Sequence, residues 1–230
     1  MLSNTKLDER VEFLEKVKLF KGLDLESLQH IADMTEEFNV SKGKTIYKIG
    51  EELDCLFILI KGMIKISKES EEKREVIKSI MSPMAVFGES AIYGKPLMVD
   101  TAIALEKDVK CLKLKISDLR AAMRTNWDLT SNVISFLGQR KSIAEQRFES
   151  VVLNDARTRI IEFLKENADK LGQRIGYEML IKHSLTQQDI ANFTGTSRQT
   201  VTSVLNDLRK SNQIYFKRKS ILIRDIANLS

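Results

Sequence analysis

Apolar positions recur at helical spacing near the start of the chain. Val11, Leu14, Val17 and Leu19 follow one another in steps of two to three, Lys21-Gly22 interrupts, and Leu25, Leu28, Ile31 and Ala32 resume the period. This predicts a helical stretch over 8–35 with a break in its middle. After Phe38 the texture changes to short β-branched segments separated by turn signals. Strands are predicted at 45–49, 55–60, 63–68, 75–81, 101–104 and 109–113, a spacing that argues for an antiparallel sandwich or barrel. From Ser117 the β texture stops. A single long helix is expected to run to about residue 153, with Leu129, Val133, Phe136, Arg140, Ile143 and Arg147 in alternating three- and four-residue steps. Such a seam is expected to pair with a second copy as a two-fold homodimer; packing on its own barrel is the alternative.

Asn154-Asp155 offers a cap and a hinge, and Ile160, Ile161, Leu164, Ala168 and Leu171 form the next amphipathic helix, stopped by Gly172. Residues 174–175 and 177–182 are expected to pair as short strands. Thr186 then opens a helix with Asp189 in capping-box register, Ile190, Ala191 and Phe193 on its inner side, and Gly195 as a tight turn. Ser197 caps a second helix, in which Val201, Val204, Leu205 and Leu208 fall at i, i+3, i+4 and i+7. The opposite face carries Arg198, Gln199, Thr202, Ser203, Asn206 and Arg209, with no acid before Asp207. Those side chains have the reach and the hydrogen-bonding groups to read base edges from a major groove, Arg toward guanine and Gln toward adenine. Thr186, Gln187, Ser197 and Thr200 complete the candidate DNA-contacting set on the helix pair. Two further apolar runs, 213–216 and 221–224, flank Lys217-Arg218-Lys219 and predict a β-hairpin wing whose cationic tip meets phosphate. An ordinary small helical domain with a solvated face is the plain alternative.

Charge sharpens this picture. The net charge is +5, and residues 156–230 hold 13 Lys/Arg against 7 Asp/Glu while the remainder holds 24 against 25. A basic C-terminal third behind a neutral front points to a polyanion, double-stranded DNA, as partner. Cys55 and Cys111 stand far apart with no CxxC and no neighbouring His, which suggests two reduced packing residues. A redox pair is the other option. No stretch resembles a signal peptide or a membrane span, so a cytoplasmic, membrane-free protein is expected. His30 and His183 are the only histidines, too few for a metal-dependent barrel, and no GxSxG is present; an enzyme is disfavoured. No cofactor is evident.

The chain resembles the family of the cyclic AMP receptor protein and the fumarate-nitrate regulator (Crp/Fnr) over nearly its whole length. The resemblance is carried by Gly50-Glu51, Gly62, Phe87-Gly88-Glu89, Thr101-Ala102, the run from Leu185 to Ala191, and the run from Gly195 to Val201. It implies an α+β protein: an N-terminal antiparallel β-roll of the cyclic-nucleotide-binding-like jelly-roll kind, a long dimerisation helix, and a C-terminal winged helix-turn-helix. The expected domains are 1–116, 117–153 and 154–230. The implied function is sequence-specific regulation of transcription from a palindromic site, with RNA polymerase as a further partner. A ligand-sensing module that recruits a protein in place of DNA is the alternative. Cyclic-nucleotide binders of the family follow Phe-Gly-Glu with an Arg-Ser/Thr-Ala whose Arg answers the cyclic phosphate. Here that place reads Val99-Asp100-Thr101-Ala102, and Asp100 would repel a phosphate. Ala144 and Glu145 stand where the cyclic AMP receptor has hydroxyl residues. Cyclic AMP is therefore disfavoured, and a small-molecule effector, if there is one, is expected among Gly88, Glu89, Ser90, Asp100, Thr101, Arg140 and Ala144. The cysteine group that holds an iron-sulfur cluster in the fumarate-nitrate regulator has no counterpart before Cys55. Gln199 and Ser203 depart from the family's Arg-Glu…Arg reading pattern, which predicts a different half-site.

Overall fold

The computed structural model describes residues 4–94, 97–217 and 219–230. The chain divides into two compact units, Met1–Lys68 with Ile80–Ile143, and Glu69–Ser79 with Ala144–Ser230. The division falls inside the long helix, not at its ends.

The first unit opens with α1 (Asn4–Glu15) and α2 (Leu25–Asp33). Asp24 caps α2 by accepting from the Ser27 amide at 2.8 Å, and α2 ends against the buried Arg10, which donates to the Ala32 carbonyl at 3.1 Å and the Thr35 carbonyl at 2.6 Å. A cation on the C-terminal carbonyls of a helix answers their partial negative charge.

Eight strands follow: β1 (Thr35–Val40), β2 (Thr45–Tyr47), β3 (Cys55–Lys61), β4 (Ile64–Glu69), β5 (Glu75–Met81), β6 (Val86–Phe87), β7 (Thr101–Ala104) and β8 (Val109–Lys115). They form two four-stranded sheets, ordered β1-β8-β3-β6 and β2-β7-β4-β5. The six predicted strands are all present. Two more strands lie outside the expected set: β6 is only two residues long, and β1 is a polar outer strand of its sheet, with Glu36 and Glu37 exposed. Cys55 through Leu59 are all buried, so β3 is covered on both faces. Phe57 lies at 5.2 Å from Phe87, 5.9 Å from Tyr47 and 5.7 Å from Phe38, ring centre to ring centre, which makes an aromatic hub for this core.

The helix expected from 117 to 153 is two helices, α3 (Ile116–Thr125) and α4 (Trp127–Leu153). Asn126 makes the break: its Oδ1 accepts from the Leu129 amide at 2.9 Å and its Nδ2 donates to Ser27 Oγ at 2.9 Å. Leu129 and Val133, expected at a subunit seam, lie in the core of the first unit, each 1% exposed. Burial within the protomer removes them from any contact with a second copy.

In the second unit come α5 (Ala156–Leu171), β9 (Gly172–Ile175), β10 (Glu178–Lys182), α6 (Gln187–Thr194), α7 (Arg198–Lys210), β11 (Ile214–Lys217) and β12 (Ser220–Ile223). The strands form one antiparallel sheet in the order β11-β12-β10-β9. Ile160, Leu164, Ala191, Val201, Leu208, Ile214 and Ile223 supply its core.

Candidate nucleic-acid interface

Each end of the helix pair is fixed by local chemistry. The Thr186 hydroxyl accepts from the Asp189 amide at 3.1 Å, while the Asp189 carboxylate accepts from the Thr186 amide at 2.9 Å and its hydroxyl at 2.6 Å. Two orphan donors are thus satisfied reciprocally. Gly195 ends α6 at φ +62°, a left-handed conformation that an L side chain adopts only with strain. Ser197 Oγ then accepts from the Thr200 amide at 3.0 Å and lies 2.8 Å from the Thr200 hydroxyl, so both are engaged in the cap.

α7 has the two faces its spacing predicts. Val201, Val204, Leu205 and Leu208 are buried. Arg198, Gln199 and Ser203 are exposed, and Asn206 is half-buried. Among the described residues, no side-chain hydrogen bond or ion pair occupies Arg198, Gln199 or Ser203. Thr202 differs, because its hydroxyl donates to Gln187 Oε1 at 2.7 Å and lies 2.9 Å from the Arg198 carbonyl. The wing is the β11–β12 hairpin, with Lys217 and Lys219 exposed at its turn. Arg218 lies outside the described residues. At the turn of the wing the Lys219 carbonyl accepts from the His183 amide at 3.0 Å.

Two arginines that periodicity alone did not single out for these roles hold the helix pair. Arg159 on α5 donates to the Thr194 carbonyl at 2.8 Å, the Gly195 carbonyl at 3.3 Å and the Asn154 carbonyl at 2.6 Å. It thereby joins the end of α4 to the turn before α7. Arg147, expected at the seam, instead stacks 3.9 Å above the Phe193 ring and donates to the Lys78 carbonyl at 2.6 Å. Phe193 also packs edge-on against Phe163 at 5.0 Å, and Asn192 donates to Glu75 at 2.8 Å. A charge on a predicted helix face gives no sign of such partners in sequence.

His30 is exposed. His183 is half-buried, and among the described residues neither of its buried ring nitrogens has a side-chain or backbone partner within hydrogen-bond geometry. The residue lines a small cavity together with Phe163, Leu164, Asn167, Ile181, Leu185, Ile190 and Ile221. Loss of water holds the imidazole below its ordinary pKa, a shift that the Leu185 backbone opposes.

The expected effector residues of the first unit do come together in part. Glu89 Oε1 accepts from Arg140 Nε at 2.8 Å in a largely covered pair. The Tyr47 hydroxyl donates to Asp100 Oδ1 at 3.3 Å, and the Thr101 hydroxyl accepts from the Ile49 amide at 3.1 Å. Burial, then the charge of Asp100, push the Tyr47 phenol above its ordinary range, so it stays a donor. Ser90 Oγ, itself buried, reaches Met98 Sδ at 3.2 Å. Gly88 takes φ +84°, and a Cβ there would stand 3.0 Å from the Cys55 carbonyl and 3.1 Å from the Phe57 ring. Ala144 is exposed on α4. Each carboxylate at this site thus has an internal partner.

Cys55 faces Lys115 and Cys111 faces Leu59 in the β3–β8 ladder. Four residues of offset along a strand separate them by roughly 13 Å, far beyond disulfide reach. Burial pushes the Cys111 thiol up to about 12 and the Cys55 thiol up to about 11. The redox-pair option is therefore closed. Among the described residues no group of His, Cys, Asp and Glu is placed to hold a metal, and no helix is long and apolar enough to cross a membrane.

Comparison with known proteins agrees with this geometry. Residues 37–126 match the cyclic nucleotide-binding domain family, and residues 158–230 match the Crp-like helix-turn-helix domain family. A CRP-like cAMP-activated global transcriptional regulator of Mycobacterium tuberculosis is 26% identical over 219 residues, 95% of this chain and 97% of the relative. The global nitrogen regulator of a Nostoc species is 27% identical over 191 residues, 82% of this chain and 85% of the relative. Among solved structures, FixK2 from Bradyrhizobium japonicum superposes with a TM-score of 0.76 at 21% identity, covering 85% of this chain and 97% of that one.

Proposed function

Because the chain belongs to the Crp/Fnr family of DNA-binding transcriptional regulators, we propose that α7 enters the major groove and that two copies read a palindromic site together. One observation carries the reading. Arg198, Gln199 and Ser203 stand exposed and uncommitted at the start of a helix whose other face is entirely core. The wing turn with Lys217 and Lys219 supplies sequence-independent phosphate contact, and Thr186 and Gln187 stand at the start of α6, where a helix N-terminus favours a phosphate. The protein acts in the cytoplasm, where RNA polymerase is its second partner.

The dimer seam is α4, on a face shifted from the one its heptads suggest. Ile134, Phe148, Val151 and Val152 are exposed apolar residues of that helix, and Ile134 and Phe148 are two heptads apart. A second copy covering them removes this surface from water.

The β-roll does not take cyclic AMP. Its Glu89 is paired with Arg140, Asp100 stands where an anion's partner would be needed, and among the described residues at this place the cation, Arg140, is already engaged by a carboxylate. Titration calorimetry should give no heat with cyclic AMP; micromolar binding would overturn this part of the reading. For DNA, mobility shifts on genomic fragments should fade as salt rises, and selection from a random pool should return a palindrome. A protein that shifts no fragment at low salt is not the regulator proposed.

A further inference from the structure

Thr202 sits among the residues whose pattern marks them as base readers, yet its hydroxyl is engaged with Gln187 of the neighbouring helix. It has one proton and two acceptors within reach, Gln187 Oε1 at 2.7 Å and the Arg198 carbonyl at 2.9 Å. Both acceptors are oxygens without a proton of their own to give. Thr202 is half-buried, whereas Ser203 beside it is exposed.

The consequence falls on Gln187. It is the first residue of α6, and its Oε1 is held against Thr202 from the neighbouring helix. A side-chain amide has its oxygen and its nitrogen on opposite branches, so fixing the oxygen inward turns the NH2 group outward. Gln187 opens the first turn of α6, where the Thr186 and Asp189 amides are taken up by the cap and those of Gln187 and Gln188 are left at the end of the helix dipole that favours an anion. A free Gln side chain would have to give up several rotamers to reach the same place.

We propose that Thr202 is a positioning residue, not a base reader: it holds the Gln187 amide so that its NH2 donates to a DNA phosphate at the N-terminus of α6. The inference rests on the proposed docking of this surface on DNA. It assigns Gln187 to sequence-independent affinity and removes Thr202 from the determinants of the half-site. It leaves base selection to Arg198, Gln199, Ser203 and Asn206.

The test uses full-length protein and fluorescence anisotropy on two duplexes of equal length, an operator recovered by selection and its scrambled counterpart. Thr202→Val keeps the shape and removes the hydroxyl. It should weaken both duplexes equally, by about 3- to 10-fold, with a smaller loss at high salt. Thr202→Ser, which keeps the hydroxyl, should stay within about twofold of the parent. In a Gln187→Ala background, Thr202→Val should add almost nothing, because the positioned group is already gone. Gln187→Glu is an independent check that leaves Thr202 untouched: a negative charge aimed at phosphate should weaken both duplexes more than Gln187→Ala does.

Three results would overturn the inference. Loss confined to the operator would make Thr202 a base reader. Losses from Thr202→Val and Gln187→Ala that multiply would make the two independent. Equal binding by Gln187→Glu and Gln187→Ala would mean the amide meets no phosphate. Failure of the parent protein to bind either duplex, or an Arg198→Ala variant that binds both as the parent does, would instead strike at the DNA-docking reading itself.

Discussion

Replacing Arg159 by Met tests whether the helix-turn-helix is held from behind. The guanidinium makes two short hydrogen bonds to part-buried carbonyls, 2.8 Å to Thr194 and 2.6 Å to Asn154, and a longer one of 3.3 Å to Gly195. Hydrogen bonds to a charged group contribute about 1.5–3 kcal/mol each when buried. Partial exposure here brings each short bond down to roughly 1 kcal/mol, and the exposed third bond adds little. The carbonyls of Thr194 and Asn154 also end α6 and follow α4, so the cation sits at two negative helix termini, worth about 0.3–1 kcal/mol more. The total is about 2–3 kcal/mol, or roughly a 30- to 150-fold rise in local opening. Met fills the same space with no donor. Hydrogen exchange should speed up by that factor at the amides from Gly195 to Thr200, and DNA should bind more weakly by up to the same factor, because the turn must be ordered on docking. Arg159→Lys, which keeps the charge and loses the fork, should fall between. Exchange in this segment unchanged by Arg159→Met, with cooperative melting also unchanged, would show that the turn is held by its Gly195 cap and core alone.

Arg198→Ala should cost about 1–3 kcal/mol of operator binding and relax preference at one base pair, whereas Lys217→Ala and Lys219→Ala should weaken all duplexes and each reduce the salt slope by about one; equal loss from Arg198→Ala on scrambled DNA would make it a phosphate contact. Phe148→Glu together with Ile134→Glu should give a monomer by sedimentation at micromolar concentration, and an intact dimer would move the seam off this face of α4. His183 is held neutral in the fold by loss of water, so its folded pKa lies below the unfolded one. Stability is then complete above about pH 6.5 and falls below it, by up to about 1.4 kcal/mol per pH unit, as the unfolded chain takes up a proton that the fold refuses. The groups facing it are Phe163, Leu164, Ile181, Leu185, Ile190 and Ile221, with Asn167 the other polar side chain and no carboxylate among them. Melting followed from pH 7.5 to 5.5 should show His183→Phe losing less than the parent; parallel curves would mean that the imidazole keeps its ordinary titration.

What could be read from sequence and what could not divide along the range of the interactions involved. The reading motif was legible because the residues that cap and turn it act on neighbours within four positions. Thr186 and Asp189 cap each other across three residues. Gly195 supplies a conformation of its own, and Ser197 satisfies an amide three residues on. The apolar period of α7 then decides which face is left for DNA. Asn126 shows the opposite case. An Asn inside an apolar helical pattern is consistent with a solvent-facing interior position or with a cap. The cap prevails because Nδ2 also meets Ser27, a partner 99 residues away. The seam reading misses at Leu129 and Val133 for a related reason. A period near 3.5 says that one stripe of α4 is covered, but not by what. In its first two turns, at Leu129 and Val133, the cover is the first unit's own core. Once those positions are spent inward, the apolar residues of α4 that remain exposed, among them Ile134, Ile143, Phe148, Val151 and Val152, are left for a second chain. Arginine defeats pattern reading for the same reason: Arg140 goes to Glu89, Arg147 to Phe193 and Lys78, and Arg159 to three carbonyls. Each has a long stem and several donors, so its partner is chosen by the tertiary fold. The sites where sequence reasoning stops in this protein are therefore the places where its helices are tied to segments distant along the chain, and a mutational scan of the three arginines should find them more disruptive than any other exposed or half-buried charge.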